Sequence, residues 1–350
     1  MDGRCTIRVG NFGEFGVISR ISGRLSQGAD VLLGPGDDAA VVAAQDGRVV
    51  VSTDLLVEGR HFRLDWSTAY DIGRKAAAQN LADIAAMGAR PTALVVGLGM
   101  PADTALSWVD GLTEGLRDEC ALVGASVAGG DLASADFVVL GVTALGSLDG
   151  AAPVTRAGAR PGQVVAVAGH LGYSAAGLAL LLATDSGSEQ AAARGSERSG
   201  RPLAEGSPWA SSSARVSTAL EEVVSAHRRP RPPYACGPEA ARLGASAMMD
   251  VSDGLLQDLG HIAGASGVRI VLDPRAFAVD EPVALAAKEV GADPMDWVLA
   301  GGEDHALVAV FPEGVRLPPH WTVVGRVETG EGVTVTERDI RVGGWDHFRG

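Results

Sequence analysis

The chain has 350 residues and a net charge of −14, which argues against nucleic-acid binding through a general basic field. Its hydrophobic fraction of 46% supports a sizeable core, and its length exceeds what one core usually fills, so two domains are expected. The cysteines Cys5, Cys120 and Cys236 have neither zinc spacing nor a disulfide framework and read as reduced thiols. No secretory pattern opens the chain and no apolar run reaches the ~20 residues of a membrane span, so a cytoplasmic protein is expected.

In chain order, Val49 to Ser52 is a β-branched run that reads as a buried strand delivering Asp54 at its end. Ala69 to Met87 has helix-forming composition, and Gly88 and Pro91 are its stop signals. Thr92 to Met100 reads as a strand, Pro101 to Val123 as a helix, and Phe137 to Leu148 as a β-branched apolar run. A boundary at Ser147 to Gly150 divides the chain into domains 1–149 and 150–350. Beyond it come a strand at Val164 to Ala168 and a helix at Ser174 to Leu182. The Ser-, Gly- and Ala-rich segment 185–213 has no apolar period and reads as a disordered or loosely packed insertion. Helices are expected at Val216 to Ala226, Pro238 to Leu243 and Gly254 to Ala265. Strands are expected before Asp250, at Val268 to Leu272, and after Asp304 and Trp321. The class is α/β.

Acids gather beside small residues. Gly36-Asp37-Asp38 and Ser52-Thr53-Asp54 are compact sets of oxygen donors, and equally serve as turn or helix caps. Asp83 lies in an otherwise apolar helix three residues after Asn80, where an unpaired carboxylate is costly and a cation or a hydrogen-bond network must answer for it. Gly129-Gly130-Asp131 would let backbone N–H groups approach a phosphate while the acid holds an ion beside it. Asp250-Val-Ser252-Asp253 precedes a helix, so it offers either an N-cap or an anion and metal site. Gly301-Gly302-Glu303-Asp304-His305 repeats the pattern of glycines followed by acids. His61 reads as structural, or as a contact to an anionic or polar group. Carboxylates in such number become tolerable beside hard cations, and Mg²⁺ shared with substrate phosphates is the usual arrangement. The P-loop, the protein-kinase signatures and the Gly-x-Ser-x-Gly elbow are all absent.

In this order the motifs resemble the thiamine-monophosphate kinase family, within the superfamily of aminoimidazole-ribotide synthetase, selenophosphate synthetase and a hydrogenase maturation factor. The likeness runs from Gly13-Glu-Phe-Gly16 to Gly344-Trp-Asp-His-Phe348, and the polar insertion departs from it. The resemblance implies a two-domain aminoimidazole-ribotide-synthetase-like fold, with N-terminal sheets paired in a homodimer and ATP bound near that interface. It implies ATP-dependent conversion of thiamine monophosphate to thiamine diphosphate with several Mg²⁺ ions. Metal ligands would be Asp38, Ser52, Thr53, Asp54, Asp83, Asp131, Asp250 and Asp253, with Asp54, Asp83 and Asp131 central to catalysis. Nucleotide contacts would fall on Gly130, Asp131, Arg156 and Ser252, and substrate contacts on His61, Glu303 and Trp345. Another ATP-dependent member of the superfamily is the alternative. Against it stand the setting of Cys5, the absence of a terminal cysteine, and the Gly-Gly-Glu-Asp and terminal Trp-x-His-Phe segments. Intact acids at every motif argue against a non-catalytic regulator.

Overall fold

The computed structural model describes residues 7–35, 39–193 and 214–338, without side chains at 14, 15, 186–193 and 214. The chain forms two compact units, Met1–Ala85 with Ala89–Gly150, and Ala86–Gly88 with Ala151–Gly350. Among the described residues no helix is long and apolar enough to cross a membrane.

The first unit opens with helices α1 (Val9–Phe12) and α2 (Glu14–Ser22) and a short hairpin, β1 (Val31–Leu33) and β2 (Val41–Val42). Then follow β3 (Val50–Val57), α3 (Ala69–Ala86), β4 (Arg90–Met100), α4 (Leu106–Ala121), β5 (Ser126–Ser134) and β6 (Val139–Ser147). The main sheet has the order β3-β6-β4-β5, which leaves β3 at one edge. β4 and β5 are parallel, with α4 as the helical crossover that parallel neighbours require. Helices α3 and α4 touch through Gly73 and Gly115. A Cβ on Gly73 would stand 2.2 Å from the Leu112 carbonyl oxygen, and one on Gly115 2.2 Å from that of Tyr70.

Side chains alternate across β3 with period two. Leu56 is fully buried, while Val51 and Leu55 are 61% and 63% exposed on the other face. The hairpin covers only part of that face, where Val31 packs on Ala93 and Ala128 beside Leu145. The rest is open, with Val95 also exposed.

The second unit contains β7 (Val164–Ala168), α5 (Tyr173–Ala193), α6 (Ala214–Arg228), α7 (Cys236–Arg242), β8 (Ala247–Val251) and α8 (Leu255–Ser266). After these come β9 (Arg269–Leu272), α9 (Glu281–Val290), α10 (Pro294–Ala300), β10 (Ala306–Phe311), β11 (Trp321–Glu328) and β12 (Gly332–Val335). Its sheet has the order β12-β9-β11-β7-β10-β8. Strands β8 and β10 are buried along their whole length, and apart from Asp250 their residues are apolar. One sheet face forms the main core with α8, through Val165, Met249, Ile270, Val308, Leu255 and Leu259 among others.

Helix α5 corrects one expectation. It runs on to Ala193, so residues 185–193 of the expected loose insertion are helical. Their Ala, Glu, Gln and Ser residues extend a helix already nucleated by the apolar turns before them, and propagation is cheap once a nucleus exists. The remainder of that segment, 194–213, lies outside the described residues.

Candidate active site

The inner face of the first unit's sheet gathers three of the expected residues. Ser52 and Asp54 point from β3 toward α3. Ser52 Oγ donates to Asp83 Oδ2 at 2.6 Å, and Gln79 Nε2 donates to Asp54 Oδ2 at 3.2 Å. Lys75, Gln79 and Asp83 recur at four-residue spacing, so one stripe of α3 faces this edge. Among the described residues Asp54 has no Lys or Arg partner, and the fully buried Asn80 has a side-chain oxygen that accepts no hydrogen bond. Three clustered oxygens, plus an unsatisfied buried acceptor one turn away on α3, make a donor set suited to a hard cation.

His61 follows β3, and its Nδ1 accepts the Val57 N–H at 3.0 Å. That bond makes Nδ1 the unprotonated nitrogen and leaves Nε2 as a donor. The buried Lys75 donates to the His61 carbonyl at 2.9 Å, which fastens this loop to α3.

Thr53 and Asp131 stand apart from this cluster. Thr53 projects from the opposite face of β3, where its hydroxyl donates to the Val142 carbonyl and accepts from Thr143. Consecutive strand residues cannot share one face, so the compact set expected of Ser52, Thr53 and Asp54 is divided by the pleat. Asp131 aligns with Gly97, Gly141 and Leu55 across the sheet and so takes the Thr53 face. It lies three strands away, about 14 Å at the usual strand spacing. Gly129 and Gly130 are inside β5 rather than in a loop. Gly130 has a packing reason to lack a side chain, because a Cβ there would meet the Val96 carbonyl oxygen at 2.1 Å. Asp38 lies outside the described residues.

In the second unit, the acids converge on the turn between β8 and α8. Asp250 is buried at the end of β8, and its Oδ2 sits 3.0 Å from His305 Nδ1. The Glu303 N–H donates to the Ser252 carbonyl, and the His305 N–H to that of Val251. The Gly-Gly-Glu-Asp-His segment is thereby tied to the acidic turn. Glu303 and His305 both have left-handed backbone, φ +62° and +53°. Such strain gathers where surrounding structure holds a functional group in place. Between them the buried Asp304 accepts the N–H groups of Gly172 and Ser174 at the start of α5, and burial pushes its carboxyl up to about 7 despite these bonds. Glu303 Oε2 lies 3.6 Å from His227 Nδ1, which is 2.9 Å from Ser174 Oγ.

Asp258 accepts the N–H groups of Asp253 and Gly254, and burial, with the charges of Asp250 and Asp253, pushes it up to about 7. Asp253 is half-buried and receives Gln257 Nε2 at 3.2 Å. Arg156 is exposed, on the segment whose Thr155 carbonyl accepts from Met248 of β8. Trp345 lies outside the described residues. Sequence reasoning assigned no role to Gln79, Lys75, Asp258, Asp304, His305 or His227. The four-residue spacing on α3 carried a signal for the first two. Asp258 caps the turn just before it, and the last three meet their partners across the fold.

Comparison with known proteins follows the same outline. The family described as AIR synthase related protein, N-terminal domain, matches residues 36–148. The chain is 49% identical to the thiamine-monophosphate kinase of Mycobacterium tuberculosis (strain ATCC 25618 / H37Rv) over 342 residues, 96% of this chain and 92% of that protein. The crystal structure of the thiamine-monophosphate kinase from Stenotrophomonas maltophilia K279a superposes with a TM-score of 0.74 at 30% identity, covering 93% of this chain and 96% of that one. A structure of AaThiL complexed with AMPPCP and TMP gives a TM-score of 0.72 at 27% identity, covering 98% of this chain and 100% of that one.

Proposed function

The chain belongs to the thiamine-monophosphate kinase family, and we propose that it transfers the γ-phosphoryl group of ATP to thiamine monophosphate, giving thiamine diphosphate and ADP. The observation that carries this reading is the 49% identity over 96% of the chain. A phosphate oxygen of thiamine monophosphate attacks the γ-phosphorus, the bond to the bridging oxygen breaks, and the electron pair leaves with ADP. That nucleophile is already deprotonated near neutral pH, because its second pKa is about 6. No general base is therefore needed.

The chain's task is to bring two anions together and align them. The inner cluster of Ser52, Asp54 and Asp83 is suited to hold Mg²⁺, and Asp38, Thr53 and Asp131 on the first unit and Asp250 and Asp253 on the second are proposed as separate further ligands. When bound, Mg²⁺ would supply the positive charge that offsets repulsion between the two phosphates. Arg156 adds a fixed positive charge for the nucleotide phosphates, with Ser252 and Gly130 as further contacts. The Nε2–H of His61 donates to the substrate, Glu303 faces its cationic or amino part, and Trp345 stacks on a ring.

Two copies pair through the open face of the first unit's sheet. The exposed Val51, Leu55 and Val95, and the edge of β3, unpaired among the described residues, support that arrangement. Thr53 and Asp131 stand on that same face, so the nucleotide site adjoins the pairing surface. The protein acts in the cytoplasm.

Asp54→Asn and Asp131→Asn test the assignment. Each is expected to lower kcat by about 100-fold or more, the usual scale for losing one electrostatic stabiliser, with an unchanged circular dichroism spectrum. Near-wild-type turnover in both variants at saturating Mg²⁺ would contradict it.

A further inference from the structure

One cluster in the second unit lies on elements that carry none of the residues assigned above to nucleotide, thiamine or magnesium. Cys236 opens α7, and Glu239 follows three residues later on the same helical face. His320 arrives from the segment just before β11, and its Nε2 stands 2.6 Å from Glu239 Oε2. The thiol sulfur, a carboxylate oxygen and an imidazole nitrogen all lie within 4.8 Å of one another. We propose that Cys236, Glu239 and His320 form a binding site for a divalent transition metal, zinc above all, fastening α7 to the start of β11.

The donor chemistry selects the ion. One thiolate, one imidazole and one carboxylate suit a tetrahedral borderline-soft dication and not Mg²⁺, which takes oxygen alone. Bonds of about 2.0–2.3 Å would hold the ligand atoms about 3.3–3.5 Å apart. The imidazole–carboxylate contact must open by under ~1 Å, and the sulfur must approach by at most ~1.5 Å. His320 can supply this movement, because its side chain is 49% exposed. The same exposure admits the ion and leaves room for water as fourth ligand. Trp321 Nε1 donates to Glu239 Oε2 at 3.0 Å and its ring packs edge-on against Phe311, so the carboxylate is oriented from behind by the sheet. Burial and the nearby Glu239 charge push the Cys236 thiol up to about 11 without metal. Forming the sulfur–metal bond releases the thiol proton to solvent, so binding weakens as pH falls.

The sequence concealed this site. Cys236-Gly-Pro-Glu239 has no second cysteine or histidine at zinc-finger spacing, and the third donor comes from the far side of β10 in the chain.

The test uses the full chain, stripped with EDTA, dialysed and held in excess Mg²⁺ so that oxygen-only sites are filled. Cobalt(II) is the probe. We expect one equivalent to produce a thiolate-to-cobalt charge-transfer band with the visible bands of a tetrahedral ion, and zinc to abolish both. Cys236→Ser should lose the charge-transfer band, and His320→Ala should weaken cobalt binding at least 10-fold. Zinc should also raise the melting temperature of the wild type more than that of His320→Ala. Cobalt bound without a thiolate band, a band that persists in Cys236→Ser, or equal zinc shifts in wild type and His320→Ala would each overturn the proposal.

Discussion

Asp258 receives two backbone N–H groups on one oxygen, yet its carboxyl is pushed up to about 7, because burial and two neighbouring aspartates oppose its charge. The sign of the consequence follows from proton counting. Between about pH 4 and pH 7 the folded chain keeps a proton that the unfolded chain has released, so this group's contribution to stability falls as pH rises through that window. One such proton gives a slope of at most about 1.4 kcal/mol per pH unit. Without magnesium, Asp258→Asn should flatten the fall in stability between pH 5 and pH 7, measured by urea unfolding. An unchanged profile would place the ionised form in the folded protein. At this scale the acids were legible wherever the chain sets them side by side. The division of Thr53 from Ser52 and Asp54 was missed, although strand pleating alone dictates it. The pairing of Asp250 with His305 was not legible, because it spans 55 residues and depends on β8 lying beside β10.

Strand β3 shows how one element can serve two surfaces. Its inner residues meet α3, and its outer residues Val51, Thr53 and Leu55 are exposed. An apolar strand that is both a sheet edge and half open is an association hazard unless something covers it. On the proposed pairing the wild type is dimeric in light scattering, and Leu55→Glu should be monomeric with reduced turnover while leaving the inner cluster intact. An unchanged dimer would exclude this face as the pairing surface. The strand itself was readable from its β-branched run, and α3 from its composition and stop signals. The open face was not, because a run that is apolar toward both sides looks the same whether its outer side meets a helix, a hairpin or another chain. Helix α5 outran its expected end for a related reason. Polar composition marks where packing stops, whereas helix propagation continues through Ala, Glu and Gln.

At the scale of the whole molecule, a chain of net charge −14 must bring together two phosphorylated anions. Acids stand on each unit, Asp54 and Asp83 beside Ser52 on the first and Asp250 and Asp253 on the second, and the proposed reading assigns them that task. A strand running into acidic residues was legible in each half, with β3 carrying Asp54 and β8 carrying Asp250. The antiparallel pairing in the middle of the second sheet was not, because strands such as β7 and β10 are buried along nearly their whole length and carry no directional pattern. The most direct test of the account follows thiamine diphosphate formed from thiamine monophosphate and ATP in the presence of Mg²⁺. The account predicts product that disappears with EDTA and with Asp54→Asn. Absence of product from thiamine monophosphate, in protein that still binds ATP with Mg²⁺, would contradict it.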